Sequence, residues 1–263
     1  MHIEVVSDLT TQAFIAAFKR FCARRKTPSD LYSDNGTTFH GARRELDEMR
    51  KLAQERAKDE KLAGFLSSEG INWHFIPPSA PHFGGLWESG VRSIKLHLRR
   101  VVGGAALTFE ELSTVLAQIE AILNSRPLTP ISDHSLDPLT LAHFLVGQPY
   151  TAVPEPSFLD SQMNRLQRWN QLQAMVQGFW KRWHTEYLSS LQARGKWNKE
   201  TANIEIGNLV VLKEPNLPPS KWILGRIQEV HPGQDSKVRV VTVKTANGVY
   251  KRPITKIAIL PLN

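Results

Sequence analysis

Apolar and polar positions alternate in MHIEVVSDL at the start of the chain, and the run is rich in β-branched residues, which predicts a strand. Thr10 and Thr11 then offer a cap to QAFIAAFKRFCARR, where Phe14, Ala17, Phe18, Phe21 and Cys22 recur at helical spacing. Pro28 stops this helix, and SDLYSD reads as a short strand running into NGTT. Residues 41–66 carry a charged amphipathic pattern, with Leu46, Met49, Leu52 and Ala53 on one side of a predicted helix. INWHFIP is a further strand and PPSAPHFGG a Pro/Gly loop. A helix follows over Leu86–Val102, with Val91, Ile94, Leu98 and Val102 on its buried side. Another begins at LTFEELSTVLAQIEAILNSRP, where Thr108 and Glu111 match a capping box and Pro127 marks the end. SLDPLTLAHFLVG predicts one more short helix, with Asp137 at its cap and Pro138 in its first turn.

The texture then changes twice. YTAVPEPS has the composition of a linker, and Leu159–Trp197 reads as one long helix whose Leu166, Trp169, Leu172, Val176, Phe179, Trp183, Tyr187 and Leu191 fall three or four apart. From Ile204 the segments IEIGNLVVLKE, KWILGRIQEVHPG, KVRVVTVKTANG and VYKRPITKIAIL alternate between Pro-Pro, Pro-Gly and Asn-Gly turns. That is the pattern of a small antiparallel barrel. The expected division is an α/β region over 1–150, a helical linker over 151–203 and an all-β module over 204–263; no internal repeat is visible.

Charge sharpens this division. The 263 residues hold 33 Lys/Arg and 25 Asp/Glu, a formal net charge of +8. Residues 205–263 alone hold nine Lys/Arg against four Asp/Glu, so the β module is the more basic part, as expected of a nucleic-acid-binding accessory. Cys22 is the only cysteine, which excludes an intrachain disulfide and any Cys-based zinc site. No apolar run approaches 18 residues and no signal core opens the chain, so the expectation is a soluble intracellular protein without a membrane partner.

Two carboxylates stand out. Asp34, in SDNG, sits at the exit of a short strand in an α/β pattern, the sheet edge where ligand and metal chemistry collects; an Asx-Gly turn cap is the alternative. Glu88 lies on the first turn of the helix entered through HFGGLW, and Arg92, Lys95 and Arg99 fall on its face at i+4, i+7 and i+11. One acid at the mouth of a helix with three cations behind it suits a metal at one end and phosphates along the rest. The alternative is a solvated face with an i,i+4 ion pair. Two hard oxygen ligands on separate elements suit Mg2+ or Mn2+ and metal-dependent phosphoryl transfer.

The segments VVSDLTTQAFIAAFKRFCARR, YSDNGTTFHGARREL, WHFIPPSAPHFGGLWESGVRSIKLHLRRVVG, LNSRPLTP and LPPSKWILGRIQEVHPGQDSKVRVVTVKTANGVYKRPITKI resemble, in that order, the integrases of BEL/Pao retrotransposons, within the retroviral-integrase and transposase superfamily. The resemblance implies an RNase H-like core whose Asp, Asp, Glu triad binds two Mg2+ ions, and a C-terminal SH3-like barrel that contacts nucleic acid. By position, Asp34 matches the second Asp and Glu88 the Glu, both as catalytic residues and metal ligands, with 53 residues between them. The first Asp of the family lies on a strand upstream of the segment matching MHIEVVSDL, so this chain is expected to lack it. Glu4 stands in no matching motif, and Asp8 is expected to support the helix cap. The family's N-terminal zinc domain is expected to have no counterpart in this chain, and no zinc is expected. The implied activity of the intact enzyme is 3′-end processing and strand transfer on element-end and target DNA, in the nucleus, by a homo-oligomer.

In that scheme Arg92, Lys95 and Arg99 contact backbone phosphates, and Asn35 and Gly36 shape the turn beneath the metal. In the β module, Lys221, Trp222, Arg226, Lys237, Arg239, Lys244, Lys251 and Arg252 are the candidates to meet nucleic acid, about half of them expected only to solvate its surface. Alternation gives faces, and does not tell which face meets DNA. Three other readings stay open: a non-catalytic DNA-binding remnant, a plain RNase H-type nuclease, and a self-association surface on Trp169, Trp180, Trp183 and Trp197.

Overall fold

A computed structural model describes residues 1–56, 70–78, 80–132, 135–162, 166–192, 204–215 and 217–260. It combines helices with short parallel and antiparallel sheets and divides into two compact units, His2–Leu96, and His97–Asn263 together with Met1.

In the first unit, α1 (Thr11–Arg25) begins where the sequence placed it: Thr10 is the N-cap, and its hydroxyl accepts the Ala13 N–H. Asp8 in turn accepts the Thr10 N–H, so it supports the cap as expected. β1 (Asp30–Ser33) and β2 (Asn72–Phe75) pair in parallel, Asp30 against Asn72 through Ser33 against Phe75. Between them runs α2 (Thr37–Arg56); the rest of the helix predicted to residue 66 lies outside the described residues. One face of the two strands is covered. Ile15, Ala42 and Trp73 are buried there among Phe14, Leu31, Phe39, Leu46 and Phe75, and α1 and α2 approach so closely at Gly41 that a Cβ would fall on the Thr11 hydroxyl. The first six residues join no ladder among the described residues. A strand pattern needs a partner edge, and this segment is held by charge instead: Glu4 accepts from Arg20 and Arg24 of α1 at 2.9 and 2.7 Å.

A 3-10 turn (Pro81–Gly84) leads into α3 (Gly85–Val102). Its buried face is not quite the one predicted. Ile94 and His97 are buried, Leu98 and Val102 half-buried, and Val91 is 46 % exposed.

In the second unit, α4 (Phe109–Asn124) starts with the predicted reciprocal capping box between Thr108 and Glu111. β3 (Pro127–Pro130) and β4 (Pro138–Thr140) then form an antiparallel pair where a helix from Asp137 was expected. Pro138 fits the first residue of a short strand as well as a first helical turn. The helix α5 (Leu141–Val146) starts three residues later, behind Thr140, whose N–H donates to His143 Nδ1 at 3.0 Å.

α6 (Arg168–Leu191) buries Leu172, Val176, Phe179, Trp180 and Trp183, while Trp169 is 56 % exposed and Trp197 lies outside the described residues. A buried glutamine holds the preceding Pro-rich segment on this helix: Gln177 accepts from Phe158 N–H and donates to Pro156 O, both at 2.8 Å.

The C-terminal segments form a curled antiparallel sheet of β5 (Leu209–Leu212), β6 (Leu224–Pro232), β7 (Val238–Thr245), β8 (Gly248–Pro253) and β9 (Ile257–Ile259), in the order β8-β7-β6-β5-β9. β5 is buried on both sides. Val210 and Leu212 join Ile227, Val241, Val243 and Ile257 inside the curl, and Leu209 and Val211 join Leu224, Ala258, Leu260 and Leu188 of α6. A strand sandwiched this way loses the in/out polarity of a half-solvated one, which explains the unbroken apolar run LVVL.

Candidate functional site

Asp34 follows β1 directly and is exposed. Its Oδ1 accepts the Gly36 N–H at 2.8 Å, an Asx turn that leads into α2 through Phe39 N–H and His40 N–H on Gly36 O. The turn is tied to the neighbouring strand. Asn35 Nδ2 donates to Ile76 O at 2.8 Å, Ile76 N–H donates to Ser33 O, and the Trp73 indole donates to Ser33 Oγ at 2.8 Å. The cap reading of Asp34 and a ligand reading are compatible, because the Asx bond uses one carboxylate oxygen and leaves the other.

Glu88, also exposed, stands on the first turn of α3 and folds back over the residue before the helix. A Cβ on Gly84 would lie 3.0 Å from Glu88 Oε1 and 3.2 Å from the Trp87 ring, so glycine at 84 makes room for both side chains. Arg92, Lys95 and Arg99 are exposed along the same helix, as their spacing predicts. Asp34 and Glu88 belong to one compact unit. Among the described residues no three His, Cys, Asp or Glu side chains converge on a point that would hold a metal.

The sheet treats its eight candidates unequally. Three arginines already have partners: Arg226 donates to Gly207 O and Ser135 O, Arg239 makes a two-point pair with Asp235 at 2.9 and 2.6 Å, and Arg252 donates to Glu214 while lying 5.1 Å over the Tyr250 ring. The Arg239 guanidinium holds the Asp235 carboxyl down to about 2. Trp222 is enclosed by Trp180, Trp183, His184 and Tyr187, with ring centroids 4.9 to 6.0 Å away, and its indole donates to Ser125 Oγ. Lys221, Lys237, Lys244 and Lys251 are exposed. Lys244 and Lys251 share a face: Lys244 is opposite Arg226, and Lys251 is opposite Thr242, two residues along β7.

Two histidines were not singled out by the sequence reading. His97, 2 % exposed on α3, has its Nε2 2.8 Å from Glu186 Oε2 of α6 and its ring edge-on to Phe179. His184 is 7 % exposed, and burial, helped by the Lys213 charge, lowers it to about 4, so it is neutral. Both fall on the apolar periods of their helices, the one signal that would have placed them inside.

Residues 167–260 match a family of unknown function, DUF5641, over less than half of the chain. No curated protein matches the sequence. Among solved structures, the chain is similar to one in the cryo-electron-microscopy structure of the simian T-cell lymphotropic virus intasome in complex with PP2A regulatory subunit B56 gamma. Identity is 12 %, the TM-score is 0.35, and the match covers 96 % of this chain and 65 % of the other. No helix among the described residues is long and apolar enough to cross a membrane.

Proposed function

We propose that the chain is part of a DNA integrase of the BEL/Pao retrotransposon type, with residues 1–150 belonging to an RNase H-like core, 151–203 a helical linker and 204–263 an SH3-like module that holds DNA. One observation carries this reading: Asp34 at the carboxyl edge of β1 and Glu88 on the opening turn of α3 are both exposed within one unit, with the cations Arg92, Lys95 and Arg99 exposed behind Glu88. The quoted integrase-like motifs supply the reaction class. Two carboxylates suit one hard divalent cation whose remaining positions water and phosphate fill. Bound there, Mg2+ or Mn2+ supplies Lewis-acid stabilisation of charge at phosphorus. Asn35 and Gly36 set the direction of the Asp34 carboxylate, Gly84 leaves space for that of Glu88, and the three cations of α3 hold the DNA backbone. The DNA partner, the nuclear site of action and a homo-oligomeric working form follow from the same reading.

The exposed cations of α3 and the exposed lysines of the sheet, which need no metal to hold phosphate, favour a second reading, a DNA-binding remnant without catalysis. Mn2+ binding to the full chain, followed by electron paramagnetic resonance, together with duplex binding measured with and without Mg2+, separates the two. The integrase reading expects Mn2+ affinity to fall at least about tenfold in Asp34→Asn and in Glu88→Gln, and Mg2+ to strengthen duplex binding in the native chain but not in the two variants. Unchanged Mn2+ binding in both variants, with duplex binding indifferent to Mg2+, would leave only the remnant.

A further inference from the structure

We infer that His40 and Arg43, both set against Phe75, form a ledge that takes a DNA phosphate beside Asp34. The inference rests on the proposed DNA-handling role and adds two contact residues to it.

The His40 ring lies flat on Phe75, with centroids 4.0 Å apart and planes 13° from parallel, and the residue is exposed. Arg43, almost one turn further along α2, places its Cζ 5.8 Å from the centre of the same ring. Stacking fixes the plane of the imidazole of this exposed residue, and one apolar side chain orients both His40 and Arg43. Phe75 is the last residue of β2, and the next carbonyl, Ile76 O, accepts from Asn35 of the Asp34 turn. The ledge therefore stands on the sheet edge from which Asp34 emerges.

The order of charges along α2 is a second observation. Its first eight residues, TTFHGARR, contain His40, Arg43 and Arg44 and no acid; Glu45, Asp47 and Glu48 come afterwards. Cations in the opening turns work against the helix dipole, so this order costs helix stability rather than adding to it. It gathers positive charge where a phosphate would stand. The charged residues next along the chain on these elements are Arg43, Arg44 and Asp47 on the helix of His40 and Asp34 in the turn before it. Asp47 lies 3.8 Å from Arg43 in an exposed pair of little strength, and one oxygen of Asp34 accepts the Gly36 N–H. From β2, His74 is turned to Tyr32 and Asp30, with its ring stacked on Tyr32 and its Nε2 3.0 Å from Asp30. At Gly41, α1 presents Thr11, which is uncharged.

The test is a histidine NMR titration of the full chain between pH 5.5 and 8, with and without a saturating 12-base-pair duplex, His40→Gln identifying the resonance. The ledge expects the His40 midpoint to rise by about one pH unit when duplex is bound. It also expects Arg43→Gln to shrink that rise and to lower the salt dependence of duplex binding by about one released counterion. A His40 midpoint unmoved by duplex that binds overturns the ledge and leaves the integrase reading intact. A chain that binds no duplex overturns both. An equal shift with inorganic phosphate alone marks a small-anion site and overturns the assignment to DNA. His40→Asn assigns the same resonance, so a misfolded His40→Gln variant does not remove the test.

Discussion

At the scale of single residues, Arg239 and Arg252 illustrate how a basic surface differs from a basic composition. Their guanidinium groups are matched to Asp235 and Glu214, whereas Lys244 and Lys251 stand exposed on one face of the sheet. If this face meets DNA, Lys244→Gln and Lys251→Gln each lower the slope of log affinity against log salt by about one, since each phosphate contact releases about one counterion. Arg239→Gln should change it much less, because the folded chain already supplies that charge with a counter-charge; salt titrations of duplex binding by the three variants check this. The sequence made every one of these residues a candidate, and alternation placed them on faces. Which were already partnered depended on Asp235 and Glu214, four residues away across a turn and 38 residues away in the chain, and no periodicity carries that information. Glu88 is a case that spacing does reach: Gly84 lies four residues before it, and the missing Cβ there leaves room for its carboxylate.

At the scale of elements, the helices with strong caps stand where the sequence put them, while the segments that depend on a neighbour moved. Thr10 and the Thr108–Glu111 box are local signals, complete within four residues. MHIEVV reads as a strand only if another edge pairs with it, and the PLT of SLDPLT became β4 because Pro127–Pro130 was there to receive it. The seam between α6 and the sheet adds a titration that no local pattern announces. His184 is lowered from 6.5 to about 4 by burial first and the Lys213 charge second. The unfolded chain therefore binds a proton that the folded one refuses. The contribution of His184 is fully present above pH 6.5, declines as pH falls from there to about 4, and levels off below, for a total near 3 kcal/mol. Urea unfolding between pH 7 and 4 should show this decline, and His184→Phe should remove it.

For the whole molecule, the two compact units differ in what was legible. The texture change at Ile204 marked the start of the all-β segment, and five antiparallel strands are there. That its outer face shares a core with α6, through Leu188, Leu209, Val211, Leu224 and Leu260, is a tertiary fact that the sequence showed only as the apolar run LVVL. The aromatic cluster at this seam has an optical consequence. Trp180, Trp183 and Trp222 lie together there, whereas Trp73 and Trp87 belong to the other unit. Three of the seven indoles therefore report on the state of the seam when emission is excited at the red edge. Fluorescence and far-ultraviolet circular dichroism, followed in one urea titration, would then give separate curves if the sheet leaves α6 before the helices melt, and a single curve if seam and helices let go together.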